Sequence, residues 1–221
     1  MPRAIASALL LVLGVVVAQA VTFSDNFNAG PSPLWSNSRG DWTATGGVYY
    51  AQSPNNNPAT YSLLPYSLAD LVVDVDVNSA QDGGIYLHSD SGIDNGVVLI
   101  TGGGYTDDAG LYWHVITNGD WGGPLGLAFG QFTKGDDIHI TVTVVGDTYS
   151  AYLNGSSTPA TTITVDSGDF QGQVGLYDFS TQTFDNFQLT GGEVPEPASV
   201  TLLGGALLAL AGALRRRAGS L

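Results

Sequence analysis

Hydrophobic and polar residues alternate along most of the chain between positions 21 and 193. Val73, Val75 and Val77, for example, are separated by Asp74 and Asp76. A period of two places successive side chains on opposite faces of a β-strand. No segment of this region keeps the 3.6-residue period of an amphipathic helix. The pattern therefore predicts an all-β domain whose strands have one buried face and one solvated face.

Glycine, proline, asparagine and aspartate interrupt the alternating segments at short intervals. The segment Ile138–Val144 is followed by the turn pair Gly146-Asp147 and then by Thr148–Leu153, which predicts a hairpin. Other predicted strands are Thr22–Phe27, Gly47–Ala51, Thr60–Leu64, Gly84–His88, Gly96–Ile100, Leu111–Ile116, Thr161–Val165, Gly172–Tyr177 and Thr183–Leu189. About twelve short strands with such breaks predict an antiparallel β-sandwich or jelly roll.

The two ends of the alternating region resemble each other. Phe23-Ser24-Asp25-Asn26-Phe27 opens it, and Phe184-Asp185-Asn186-Phe187 closes it. Aromatic residues separated by short polar residues suit neighbouring strands. We therefore expect the first and last strands to pair and close one sheet.

Both termini differ in composition from the middle. A basic start with Arg3 precedes the apolar run Ala8–Ala18, and Ala18-Gln19-Ala20 fits a cleavage site, so residues 1–20 are predicted to be a signal peptide. A retained membrane helix is the weaker alternative. At the other end, the apolar run Ala198–Leu214 ends in an arginine cluster, which is typical of a membrane stop signal. At roughly 25 Å it is a short transmembrane helix, and a buried core helix is the alternative.

The C-terminal segment 194–221 resembles the PEP-CTERM sorting signal. Its three parts stand in order, namely the motif Pro195-Glu196-Pro197, the hydrophobic helix, and Arg215, Arg216 and Arg217. The resemblance implies an exported protein of a Gram-negative bacterium that is first anchored in the inner membrane. It also implies an exosortase as processing partner, and delivery to the cell envelope or to the extracellular polysaccharide matrix of a biofilm.

The composition of residues 21–193 limits the chemistry of the domain. The chain has no cysteine, so the domain has no disulfide framework and must be stabilised by its core. Arg39 and Lys134 are its only basic residues, because the other four of the chain's six lie at the termini. Its acidic residues number 19, since only Glu196 of the chain's 20 lies outside, and the formal balance is −17. Such a charge excludes nucleic acid as a partner and suits either solubility, a neutral glycan or a divalent cation.

The domain 21–193 resembles the concanavalin A-like (LamG-like) jelly-roll superfamily, near the group of 3-keto-disaccharide hydrolases. The resemblance rests on these segments: Phe23–Phe27 with Trp35 and Asp41-Trp42, Asp82–His88, Val145–Gly155, Gly172–Tyr177 and Phe184–Phe187. It implies a jelly-roll fold of the kind that lectins, hydrolases and adhesion modules share, and it indicates the fold better than an activity. Hydrolase-like relatives carry arginine where this chain has His88.

Four polar aromatic side chains are candidates for a sugar-binding groove. Tyr86 and His88 share one face of their predicted strand, and Tyr112 and His114 share one face of theirs. If both faces look the same way, the four side chains floor a groove where rings stack on sugar C–H faces and polar tips bind hydroxyls. The alternative is that they are partly buried sheet residues.

Two tryptophans differ in their predicted roles. Trp113 alternates with Leu111 and Val115, which predicts a core residue. Trp121 lies in the glycine-rich segment Asn118–Pro124, where it is either a lid over the groove or a plug over the core. We expect the third histidine, His139, to lie on the surface.

Acidic pairs offer two further candidates. If the terminal strands pair, Asp25 and Asp185 would bind one Ca²⁺ and fasten the ends of the domain, as in jelly-roll relatives, although turn capping is an equal alternative. Asp74 and Asp76 share a strand face and imitate a catalytic pair, but solvated outer-face carboxylates are the simpler interpretation.

These observations predict an exported, matrix-associated module that binds a glycan or packs into the polymer without catalysis. The glutamate pair of jelly-roll glucanases is missing, because Glu193 is the domain's only glutamate. The alternative is a glycoside hydrolase of the 3-keto-disaccharide type that uses His88, His114 or an aspartate as acid and base.

Overall fold

This computed structural model describes residues 20–102, 109–166 and 172–193. The predicted signal peptide 1–20, apart from its last residue, lies outside the described residues, and so does the predicted sorting tail 194–221. Within the described ranges every regular element is a β-strand. These ranges contain no helix that is long and apolar enough to cross a membrane.

The described residues of the domain form fifteen strands. In chain order they are β1 Ala20–Asp25, β2 Trp42–Thr45, β3 Val48–Ala51, β4 Ser62–Leu63, β5 Leu68–Asn78, β6 Gly83–Ser89, β7 Gly96–Ile100, β8 Gly110–Thr117, β9 Asp120–Trp121, β10 Leu125–Phe129, β11 Ile138–Val145, β12 Thr148–Leu153, β13 Thr161–Thr164, β14 Gln173–Asp178 and β15 Thr183–Glu193.

The strands form two antiparallel sheets. The eight-stranded sheet has the order β13-β12-β11-β5-β15-β3-β2, and β1 pairs with β15 beside this path. The seven-stranded sheet has the order β10-β8-β7-β6-β14-β4, and β9 pairs with β8. Neighbours that are far apart in sequence, such as β5 and β15, give the crossed connections of a jelly roll.

The core lies between the sheets and follows the alternation of the sequence. On β5 the side chains of Val73, Val75 and Val77 are fully buried, whereas Asp74 and Asp76 are half-buried on the outer face. Trp113 is also fully buried in this core, which confirms its prediction as a core residue. The predicted all-β, antiparallel architecture is thus confirmed for the described residues.

The first and last strands pair as predicted. β1 runs antiparallel to β15 from Ala20 opposite Gly192 to Asp25 opposite Phe187. Phe187 packs edge-on against Trp35 with ring centroids 5.0 Å apart. The similar ends of the domain therefore form neighbouring strands whose aromatic residues seal one end of the core.

Three observed strands were not predicted. β2 is short, β9 contains two residues, and β10 carries a register shift between Leu125 and Ala128. Leu125 and Leu127 on β10 are about half exposed, so this edge strand lacks the buried-exposed alternation on which the prediction depended.

Candidate functional site

Two rows of paired residues build a polar aromatic surface on the outer face of the seven-stranded sheet. In the first row Tyr177 is opposite Gly84, Gly84 is opposite Ile100, and Ile100 is opposite Tyr112. Gly84 contributes no side chain to this row, so Ile100 is the one side chain between the two tyrosines at its ends.

The second row begins at Gly175 and runs through Tyr86 and Val98 to His114. Tyr112 and His114 therefore share one face of β8, as the alternation predicted. Tyr112 lies edge-on to His114, with ring centroids 5.4 Å apart.

Trp121 covers one side of this surface. It is opposite Ile116 across the short pairing of β8 and β9, and the Gly122 amide donates to the Val115 carbonyl at 3.0 Å. The Trp121 ring lies 5.8 Å from the Tyr177 ring and 5.5 Å from the His114 ring. Trp121 thus packs against the outer face of the sheet rather than over the core between the sheets.

A cleft of about 250 Å³, which we call the aromatic cleft, opens among these side chains. Its lining consists of Asn56, Asp82, Ile100, Tyr112, His114, Trp121 and Tyr177. The lining combines ring faces with a carboxylate, an amide and an imidazole, which is the composition of a site that binds a small polar ligand.

His114 has a defined orientation at the cleft. Its Nδ1 lies 2.6 Å from the carbonyl oxygen of Gly122, in the loop that carries Trp121. A carbonyl accepts, so Nδ1 carries a proton in this contact. The contact leaves Nε2 as the imidazole atom for a ligand.

Asp82 is the acidic group of the aromatic cleft. Burial raises the pKa of its carboxyl, and the charge of Lys134 opposes this effect. Burial also raises the pKa of the Tyr177 hydroxyl, and the Asp82 carboxylate raises it further. Asp82 and the Tyr177 hydroxyl therefore lie within electrostatic reach of each other.

Asp178 follows Tyr177 in the sequence, but its side chain is fully buried. Its carboxylate accepts from the Ser180 amide at 3.0 Å and from the Ala51 amide at 3.4 Å. Burial raises the pKa of Asp178 to about 7, against these hydrogen bonds, and the Asp82 charge adds to the increase. Asp178 thus links β14 to β3 of the other sheet and, being fully buried, has no access to a ligand.

Tyr86 lies beneath the aromatic cleft rather than in its lining. It is fully buried, and its ring contacts those of Trp121, Tyr177 and Tyr61 edge-on. The alternative prediction, a buried sheet residue rather than a groove residue, therefore fits Tyr86 better. Its ring supports the neighbouring rings of the cleft from below.

The predicted grouping of His88 with Tyr86, Tyr112 and His114 is wrong. A register shift in the pairing of β6 with β14 coincides with a φ of 50° at His88, and this bulge turns the side chain inward. His88 Nδ1 lies 2.7 Å from the Tyr149 hydroxyl, and Nε2 lies 2.7 Å from the Ala69 carbonyl. Burial lowers the pKa of this imidazole. His88 therefore joins the two sheets and does not reach the cleft.

The terminal aspartates have different neighbours. Asp25 accepts from the Ser32 amide at 2.7 Å and from the Trp35 indole at 3.0 Å, whereas Asp185 is opposite Asp76 and its carboxylate accepts from the Asn186 amide. These contacts support the turn-capping alternative. In the described ranges no group of three or more His, Cys, Asp or Glu side chains is arranged to hold a metal, and the calcium site of Asp25 and Asp185 stays a prediction.

Asp74 and Asp76 flank His139 on the outer face of the eight-stranded sheet. His139 Nδ1 lies 2.7 Å from Asp76, and Nε2 lies 3.4 Å from Asp74. Thr141 donates to Asp74 at 2.6 Å, and Asn186 donates to Asp76 at 2.8 Å. His139 is 38% exposed, which agrees with its predicted surface position.

Four cleft residues escaped the sequence prediction, namely the apolar Ile100 and the polar Asp82, Tyr177 and Asn56. Val174 to Asp178 are all buried on β14, so no buried-exposed alternation marks Tyr177 as an outer-face residue. Asp82 precedes β6, and Asn56 lies in an irregular loop. Both residues lie outside the alternating segments, so the sequence pattern does not indicate which side chains lie near them in the fold.

Comparison with known proteins identifies the fold. No protein-family model and no curated protein matches the chain significantly. Among solved structures, it is similar to the carbohydrate-binding module CBM66 from Bacillus subtilis, with 18% identity, coverage of 74% of this chain and 96% of that chain, and a TM-score of 0.52.

Two further solved structures show the same likeness. The β-glucanase of Bacillus licheniformis is 11% identical, with 78% of this chain and 98% of that chain covered and a TM-score of 0.51. The exoplasmic/lumenal domain of VIP36, in its Ca²⁺/Man2-bound form, is 10% identical, with 76% of this chain and 85% of that chain covered and a TM-score of 0.54. The structural neighbours are thus concanavalin A-like jelly-roll domains of carbohydrate-binding proteins and glycanases, and at these identities they show the fold alone.

Proposed function

We propose that this domain is a non-catalytic module that binds a polysaccharide through the aromatic cleft. The observation that carries the proposal is the convergence of Tyr112, Trp121 and Tyr177 with Asp82 and His114 in one cleft on the outer face of the sheet. The jelly-roll fold supports the proposal, since several neighbours of this fold are named as carbohydrate-binding proteins.

The chemistry of the lining suits a sugar ring. The half-buried Trp121 ring packs against the C–H face of a pyranose, beside the more deeply buried Tyr112 and Tyr177. The Asp82 carboxylate and the His114 imidazole provide hydrogen bonds to hydroxyls. The volume of about 250 Å³ lies just below the usual range of ligand pockets. The cleft therefore accommodates one or two sugar rings of a chain rather than a long segment.

Binding of full-length protein to a panel of soluble polysaccharides, measured by affinity electrophoresis in a detergent without a sugar headgroup, tests this function. We expect Trp121→Ala to weaken binding by roughly fivefold, because one aromatic contact contributes ~1 kcal/mol. Tyr152→Ala is the matched control, since Tyr152 lies half-buried on β12 of the other sheet. Equal losses in both variants, or no binding to any polysaccharide, would contradict the proposal.

Hydrolysis of a glycoside is the second candidate, and the raised pKa of Asp82 favours it. A half-buried carboxyl with a raised pKa suits a general acid. Glycoside hydrolysis uses two carboxyl groups across the scissile bond, however, and Asp82 is the single carboxylate in the described lining of the cleft. Turnover of a 3-keto-disaccharide that is lost in Asp82→Asn would establish hydrolysis and displace the binding proposal.

We infer from the sequence that the protein is exported and sorted by an exosortase. The support is the tripartite tail with Pro195-Glu196-Pro197 and its terminal arginines, together with the N-terminal apolar segment. The membrane helix anchors an intermediate, and the processed domain enters the envelope or the extracellular matrix of a Gram-negative cell.

Fractionation of cells with and without exosortase tests the sorting proposal. We expect the wild-type protein to accumulate uncut in the inner membrane of an exosortase-deficient strain, and Glu196→Ala to accumulate in the same way in the parent strain. Glu193→Ala, three positions upstream, is the control and is processed normally. Tail processing without the exosortase would disprove this route.

A further inference from the structure

The aromatic cleft has an acidic character that a neutral sugar does not explain. Its described lining contains the Asp82 carboxylate and no lysine or arginine. Neither cation of the domain belongs to this lining. Lys134 is exposed on a loop, from which its charge lowers the pKa of Asp82 against the larger, opposite effect of burial, and the Arg39 guanidinium stacks 5.2 Å from the Tyr61 ring centre. With a formal balance of −17 in residues 21–193, the electrostatic field of the domain attracts cations to this cleft.

The Asp82 carboxylate has no protein cation in direct contact within the described part of the chain, although the charge of Lys134 lowers its pKa from a distance. Among the described residues no hydrogen bond reaches its side-chain oxygens, and no lysine or arginine forms an ion pair with it. A half-buried carboxylate in such a setting is stabilised by a cation or by several hydrogen-bond donors. The Asp82 side chain is therefore the group of the cleft that gains most from a positively charged ligand.

The aromatic rings that line the cleft together with Asp82 also favour a positively charged ligand. Trp121 stands at 61° to Tyr177 and at 57° to His114, so these rings do not form one flat platform for sugar stacking. Ring faces at steep angles enclose a small volume, and each carries the negative face of its π-system. Tyrosine and tryptophan faces next to a carboxylate bind organic ammonium groups.

We propose that the aromatic cleft binds an amino sugar in its ammonium form, that is, a hexosamine without its N-acetyl group in a cationic polysaccharide. The ammonium group pairs with Asp82 between Tyr112, Trp121 and Tyr177, and the sugar hydroxyls bind His114 and Asn56. This inference rests on the proposed glycan-binding function and specifies its ligand class. An anionic glycan is repelled by Asp82, and a neutral one leaves its charge unpaired.

Calorimetry with two ligands of equal length tests the inference. The full-length protein, in a detergent without a sugar headgroup, is titrated at pH 6 and low salt with a tetramer of β-1,4-linked glucosamine and with its fully N-acetylated form. We expect the free amine to bind at least roughly tenfold more tightly, because acetylation removes the charge that Asp82 and the ring faces recognise. We also expect added salt to weaken this binding.

Two variants distinguish a specific ion pair from general attraction by an acidic surface. Asp82→Asn removes the charge at similar volume and is expected to abolish the preference for the amine. Asp94→Asn removes the same charge from an exposed position near the Trp121 loop and outside the cleft lining, so the preference should persist. A preference that both variants leave intact, or that both weaken equally, overturns the inference.

The ligand comparison separates this inference from the proposed function and needs no variant to fold. If the acetylated tetramer, or a neutral tetramer such as β-1,4-linked glucose, binds as tightly as the amine, the inference is wrong and glycan binding stands. If no tetramer binds and the polysaccharide panel also fails, both are wrong. If tetralysine binds as tightly as the amino sugar, the cleft recognises ammonium without sugar, and the inference is again wrong.

Discussion

His88 and Tyr149 form a hydrogen bond between the two sheets, with His88 Nδ1 2.7 Å from the Tyr149 hydroxyl. His88 lies on β6 of the seven-stranded sheet, and Tyr149 lies on β12 of the eight-stranded sheet. The Nε2 atom of His88 is 2.7 Å from the Ala69 carbonyl, which accepts, so Nδ1 accepts from the tyrosine in the neutral imidazole. Both ring nitrogens of a buried histidine thus connect one sheet to the other.

Removal of the Tyr149 hydroxyl should destabilise the domain. We expect Tyr149→Phe to lower the free energy of unfolding by about 1–3 kcal/mol, because the buried Nδ1 of His88 loses its donor. Tyr152→Phe on the same strand is the control, since Tyr152 is half-buried on the outer face, and its effect should stay below about 0.5 kcal/mol. Urea unfolding of both variants measures the difference, and equal effects would contradict this role of His88.

The stability of the domain should depend on the protonation of His88. Burial lowers its pKa below the usual 6.5, so the unfolded chain binds the proton more tightly than the folded one. The contribution of neutral His88 is complete above about pH 6.5 and is lost as the pH falls toward the lowered pKa. We expect His88→Gln to reduce this decline in urea titrations between pH 7 and pH 5. If the free energy of unfolding of the variant depends on pH as steeply as that of the wild type, His88 does not titrate in this way.

Asp178 should give a pH dependence of opposite sign. Burial raises its pKa from 3.8 to about 7, so ionisation opposes folding as the pH rises between these values, by at most about 4 kcal/mol. Asp178→Asn stays neutral, and we expect its stability relative to the wild type to increase from pH 4 to pH 7. Thermal melts across this range measure the difference. A variant that loses stability relative to the wild type as the pH rises would contradict the raised pKa.

Gly84 should not tolerate a side chain. A Cβ atom at this position would collide with the Leu99 carbonyl of β7, which is backbone and cannot move aside. We therefore expect Gly84→Ala to destabilise the domain by about 1–3 kcal/mol and to disturb the row from Tyr177 to Tyr112. Gly192→Ala is the control, because a Cβ there meets no atom within 4 Å. Chemical denaturation of the two alanine variants compares them, and similar midpoints would contradict the expected collision.

Asp25 should stabilise its loop without a metal. Its carboxylate accepts from the amides of Phe27 and Ser32 and from the Trp35 indole, so Asp25→Ala leaves three donors unpaired and should cost about 1–3 kcal/mol in EDTA. Asn26→Ala, at an exposed neighbour, is the control. Melting curves with EDTA and with Ca²⁺ distinguish the two roles. A loss that occurs only with Ca²⁺ would assign Asp25 to the predicted calcium site instead.

The sequence by itself predicted twelve of the fifteen described strands and two of their pairings, β1 with β15 and β11 with β12. The alternation of Val73 to Val77 assigned the two faces of β5, the aromatic ends of the domain predicted the pairing of β1 with β15, and Trp113 was placed in the core. The strand faces and the core position of Trp113 are local properties, because the side-chain period of a strand decides which residues face the core. The pairing of β1 with β15 is not local and was predicted only from the similar aromatic segments at the two ends.

Only the tertiary structure decided which side chains meet. His88 leaves the face of Tyr86 because a bulge against β14 rotates it, and alternation cannot reveal a register shift that depends on the partner strand. The aromatic cleft joins Tyr112 of β8 with Tyr177 of β14 and with Asp82 and Asn56 from connecting segments. Their proximity results from the strand order of the sheet, since contacts between distant segments are fixed when the sheet forms and carry no local periodicity.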